Sequence, residues 1–228
     1  MFRGPWRRAG ALACLLLLPW SAGCAERRGL CIGDTRIRAA ELDLAVADLR
    51  HGFGAYGDGT LRWYLLDHGM GPAAILHHYL AEESAAALRA AGEAVRRLRA
   101  GASFDTLLEE RGRVDGGREV PETPTFPRTF ELGGPVAAAV APLEPGQWAG
   151  PVKTVRGWEI VRLRFRADPV RSRAGVIVDR LIYPVGGPAD QERARADWST
   201  LPLAGDARYL EDLPSDFRRG RVAEGARP

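Results

Sequence analysis

Lysine is nearly absent. Lys153 is the only one among 32 basic residues, so arginine carries almost all the positive charge. With abundant Ala and Gly, this bias reads as the imprint of a GC-rich genome. No Arg/Lys run is interleaved with aromatics as a nucleic-acid groove requires, and the net charge is only +3. Nucleic acid is therefore not an expected partner. Cysteine is scarce, at three residues, and none sits in a CxxC spacing. His68, His77 and His78 have no second ligand cluster to join, so neither a metal nor another cofactor is expected. No apolar run reaches the roughly 20 residues that a membrane-spanning helix needs.

A shorter apolar run is present, and it sits at the N-terminus. Arg3, Arg7 and Arg8 precede the stretch Ala9 to Trp20, which leads into Ser21-Ala22-Gly23-Cys24. A basic start, a short apolar centre and small residues before a cleavage point are the pattern of an export signal, placed at 1–23. The last four residues resemble a lipobox, in which the Cys24 thiol accepts a diacylglyceryl group; Ser21 stands where Leu is usual. Cys24 is therefore the expected lipidation site, with simple secretion as the alternative. In that alternative, a Cys24–Cys31 disulfide becomes available in an oxidising compartment. Ala25 lacks the Asp that favours inner-membrane retention. The expected location is the cell envelope, on the periplasmic side of the outer membrane, or the soluble periplasm if no lipid is added.

Beyond the signal, 24–71 reads as a linker followed by an N-terminal helical segment. Leu42, Val46 and Leu49 recur at helical spacing within Ala39 to Arg50, and Thr60 caps a short helix running to His68. Ile75 to Leu80 is either a strand or the start of a long helix. Ser84 to Ala100 is an amphipathic helix stopped by Gly101, and Ser103 caps another that carries Phe104, Leu107 and Leu108. Residues 112–134 read as a polar loop. A short helix over Pro135 to Val140, a Pro145-Gly146 turn and a hairpin around Arg156-Gly157 follow. Val161, Leu163 and Phe165 alternate with arginines, as in a strand with one buried face. Past 167 the chain reads as a C-terminal extension, partly disordered, with a further strand at Val176 to Tyr183 and a helix at Ala189 to Trp198.

The segment 72–167 resembles a parvulin-type (rotamase) peptidyl-prolyl isomerase domain. The residues that carry the likeness are His78-Tyr79-Leu80, Gly101-Ala102-Ser103-Phe104, Leu143-Glu144-Pro145-Gly146, Gly150-Pro151-Val152-Lys153-Thr154 and Gly157-Trp158-Glu159-Ile160-Val161. The resemblance implies an α+β fold: a small antiparallel sheet packed with helices, preceded by N-terminal helices. It also implies two facing His residues, a nearby Cys or Asp, and an apolar pocket for proline. His78 matches the first His, with His77 competing for the role. Glu159 stands where the second His is expected, and Asp115 takes the Cys/Asp position. Leu132, Val136 and Val140 remain to line the pocket, with Trp158 as a further substrate contact.

Rotation about an X-Pro bond needs no nucleophile, only a site that holds the ring and favours the twisted amide. The expected partners are thus unfolded or extended proline-containing polypeptides, with the membrane reached through the N-terminal lipid. Three activities fit: an isomerase for exported proteins, a chaperone of the same fold without catalysis, or a docking lipoprotein of an envelope assembly. The plain alternatives are that Trp158 is a core aromatic, that Asp115 is a turn residue, and that Glu159 is a solvated neighbour of an Arg.

Overall fold

A computed structural model describes residues 29–115, 118–119, 129–167 and 175–222. The export signal and Cys24 lie outside the described residues. The fold is α+β, with two antiparallel sheets and helices around them. Among the described residues no helix is long and apolar enough to cross a membrane.

The stretch read as a linker already contains regular structure. Strands β1 (Gly29–Ile32) and β2 (Thr35–Arg38) form a hairpin across Gly33-Asp34. A third strand, β7 (Leu203–Gly205), pairs with the other edge of β1, giving the order β2-β1-β7. Helix α1 (Ala39–Phe53) follows directly and buries Leu42, Val46 and Leu49, as its spacing predicts. Helix α2 (Asp58–Leu65) runs through a wide turn at Leu66–Met70 into α3 (Gly71–Tyr79). The turn bends at Gly69, whose φ of 153° suits glycine. A Cβ there would meet the Pro135 ring at 2.6 Å.

The ambiguous segment before residue 80 is therefore a helix and not a strand. Pro72 stands in its first turn, where the missing N–H costs nothing, and the apolar run continues the preceding turns. After it come α4 (Ala81–Arg99) and α5 (Phe104–Asp115). The Ser103 hydroxyl accepts the Asp105 N–H at 3.2 Å, as its capping position predicts.

The second sheet has the order β3-β6-β5-β4, built from β3 (Arg118–Glu119), β4 (Trp148–Thr154), β5 (Gly157–Arg166) and β6 (Val176–Pro184). The expected hairpin is β4 and β5, with Thr154 opposite Gly157. Its other neighbour, β6, comes from beyond residue 167 and pairs with β5 along Gly157↔Pro184 to Arg166↔Val176. What reads as a C-terminal extension thus supplies a central strand here. It then adds α7 (Pro188–Thr200), which packs on α3, followed by β7, α8 (Ala207–Glu211) and α9 (Ser215–Arg218).

The sheet separates two apolar layers. On one face Ile160, Leu181 and Tyr183 meet Ala91, Val95 and Leu98 of α4 and Phe104 and Leu107 of α5. On the other, Val161, Leu163, Val176 and Val178 meet Leu132 and residues Val136 and Val140 of helix α6 (Gly134–Val140). The largest cluster joins both ends of the described chain, from Leu30, Ile32 and Leu49 to Trp198, Leu203 and Tyr209.

Candidate functional site

The two histidines of α3 are neighbours in sequence and opposites in environment. Adjacent helical residues point about 100° apart, so only one can face the core. His77 does, at 7% exposure, whereas His78 is on the exposed side, tilted against Tyr79. The His77 Nε2 lies 2.9 Å from the Thr154 carbonyl oxygen, which can only accept, so Nε2 carries the proton. Nδ1 then accepts from the Ser84 hydroxyl at 2.6 Å. Burial lowers the pKa of this ring to about 4, keeping it neutral.

The network continues on both sides of His77. The Trp158 indole N–H donates to Ser84, 3.1 Å from its carbonyl and 3.2 Å from its Oγ. The two rings, His77 and Trp158, meet edge to face at 5.1 Å. The Thr154 hydroxyl donates to Glu159 at 2.8 Å, and Arg180 reaches the other carboxylate oxygen at 3.4 Å. Glu159 is 0% exposed. It is therefore an interior ion-pair partner and not a solvated surface charge. Both His77 nitrogens are engaged inside the protein, so the ring has no proton or lone pair to offer a substrate.

His78 is exposed on α3, whereas Glu159 is buried beside Thr154 and Arg180. No hydrogen bond or ion pair joins His78 to Glu159 among the described residues. Asp115 is the last residue of α5, and its side chain lies outside the described residues. Leu132, Val136 and Val140, expected to line a proline pocket, are buried against the sheet. Their burial follows from the face of α6 they occupy. β6 brings Val176 and Val178 under that face, and all three expected pocket side chains belong to the core. Trp158 does border an open site, and it is also packed into the core.

That site is a groove of about 560 Å³ between α1, α6 and β4. Pro135, Ala138 and Ala139 share one face of α6, and with Pro142 just past its end their small side chains form the floor. Glu41, Leu44, Ala45 and Asp48 make the same pattern on α1 and form one wall. The opposite wall is β4, from Ala149 to Lys153, with Met70, Ala73 and Trp158 behind. Leu44 on the α1 wall is 64% exposed. Lys153 bridges the walls, its Nζ 3.7 Å from Glu41 Oε1. β4 is the last strand in its sheet, and Pro151 removes a donor from that edge.

The sequence holds the signals for this groove, namely Ala138-Ala139 between two prolines and the second face of α1. Their meaning depends on α1, α6 and β4 converging, which no local pattern reports. Compared with known proteins, the chain matches no family model, no curated protein and no solved structure. Among the described residues no group of His, Cys, Asp and Glu could hold a metal ion.

Proposed function

We propose that this protein is a folding factor of the cell envelope that holds extended, proline-containing polypeptide segments in the groove between α1, α6 and β4, without isomerising them. The observation that carries the reading is an open, predominantly apolar groove in a chain whose expected catalytic side chains are engaged elsewhere or exposed. Prolines and alanines give it a low-relief floor that accepts varied side chains. The proline on the β4 edge discourages continuous strand pairing, so recognition runs mainly through side-chain contacts. A diacylglyceryl group on Cys24, five residues before Gly29, would hold this surface beside the membrane that exported chains cross.

Two assays on the same preparation test the proposal. Light scattering of a denatured client should fall when the protein is added, and the Leu44→Asp variant should lose that protection while keeping its stability. A protease-coupled assay on Xaa-Pro peptides should show no acceleration. Acceleration that disappears in His78→Ala would instead make the protein an isomerase, the second reading, which the β4–β5 hairpin of the resemblance supports. Palmitate labelling that vanishes in Cys24→Ser tests the anchor.

A further inference from the structure

The walls of the groove do not balance in charge. Lys153 is matched by Glu41 at its mouth. Asp48, two helical turns from Glu41 and on the same wall, has no hydrogen-bond or ion-pair partner among the described residues. It is half-buried beside Leu44 and Ala45, and an apolar setting does not solvate a lone carboxylate well. We infer that Asp48 selects the occupant: the groove takes extended segments that carry an Arg or Lys two residues from an apolar side chain. This rests on the reading of the groove as a polypeptide site and adds the class of segment it prefers.

The spacing follows from geometry. Leu44 and Asp48 are one turn apart, about 6 Å along α1. An extended chain advances about 3.3 Å per residue and returns to the same face every second residue. An apolar side chain against Leu44 therefore places the side chain two positions away opposite Asp48. The cation would gain a carboxylate already partly stripped of water, and its aliphatic stem would cover the alanine floor. Burial raises the Asp48 pKa, and His51 near the end of α1 opposes that rise only in part. An acidic segment would meet Asp48, since Glu41 is already matched by Lys153, and be disfavoured by repulsion.

Fluorescein-labelled peptides and anisotropy on the full chain test this. One short peptide carries Pro, Leu and an Arg two positions from the Leu; two others replace the Arg with Gln or Glu. The Arg peptide should bind about ten-fold more tightly than the Gln peptide, and the Glu peptide most weakly. Asp48→Asn should abolish the Arg preference, bringing the Arg and Gln peptides to about equal affinity. Asp48 is partly exposed, so the variant should fold, and its circular dichroism checks that it does. Equal binding of all three peptides, or an Arg preference that survives Asp48→Asn, overturns the selection by Asp48 while leaving the groove a polypeptide site. Failure of every peptide to bind overturns the polypeptide reading itself and this inference with it.

Discussion

The indole N–H of Trp158 points at Ser84, 3.1 Å from its carbonyl oxygen and 3.2 Å from its Oγ. Through Ser84 it fixes the histidine on the preceding helix. One strand residue thereby ties α3 and α4 to the sheet, and the same indole borders the groove. The groove wall is in this way mechanically continuous with the buried polar network behind it.

The network makes stability depend on acid. The folded-state pKa of His77 is about 4, below the ordinary value of 6.5. The unfolded chain therefore binds a proton that the folded chain refuses as pH falls from 6.5 towards 4. The contribution is full above 6.5 and declines through that window, by up to about 3 kcal/mol. Urea denaturation at pH 7.5 and pH 4.5 should show the drop. A His77→Gln variant should be weaker at both pH values and show a smaller pH dependence.

His78 should be dispensable. It is exposed and holds no element in place. His78→Ala should change stability by no more than about 0.5 kcal/mol in denaturant titration. Client protection should be unaltered.

Glu159 should not be dispensable. Truncation to Ala leaves Arg180 facing a vacated interior, a loss of about 3–5 kcal/mol for a buried pair broken on one side. Glu159→His places there the residue expected from the resemblance. It should likewise destabilise the fold and confer no isomerase activity, because His78 does not face it. Thermal melting and the Xaa-Pro assay check the two halves.

The packing of α3 on α7 should be sensitive to one methyl group. A Cβ at Gly71 would meet the Trp198 ring at 2.5 Å and the Leu66 carbonyl oxygen at 2.9 Å. Gly71→Ala should cost about 1–3 kcal/mol through overpacking. Trp198 fluorescence should shift with the melt.

Local signals made much of this fold legible in the sequence. Ser103 announces α5, Gly101 the end of α4, Pro135 the first turn of α6 and Gly157 the turn into β5; each acts within a few residues. The identity of β5's second neighbour was not legible, because β6 is an ordinary apolar strand until its pairing is known. For the same reason Leu132, Val136 and Val140 read equally well as pocket or core. The choice between His77 and His78 turns on a helix rotation set by Ser84 and Thr154, which come from other elements. Asp48 carries no local mark at all; its interest comes from the side chains that do not reach it.

The pairing of β1 with β7 also orders events during synthesis. Gly29 donates to an Asp206 oxygen at 3.0 Å across 177 positions, and Ile32 lies opposite Leu203. Chains are made and fold from the N-terminus, so β1 finds β2 at once and then waits for the segment around Leu203 before its other edge is closed. A product that stops short of this strand leaves Leu30 and Ile32 without their cover, however well its middle has folded. The second edge of the first strand thus stays open to other pairing until the segment around Leu203 has been made.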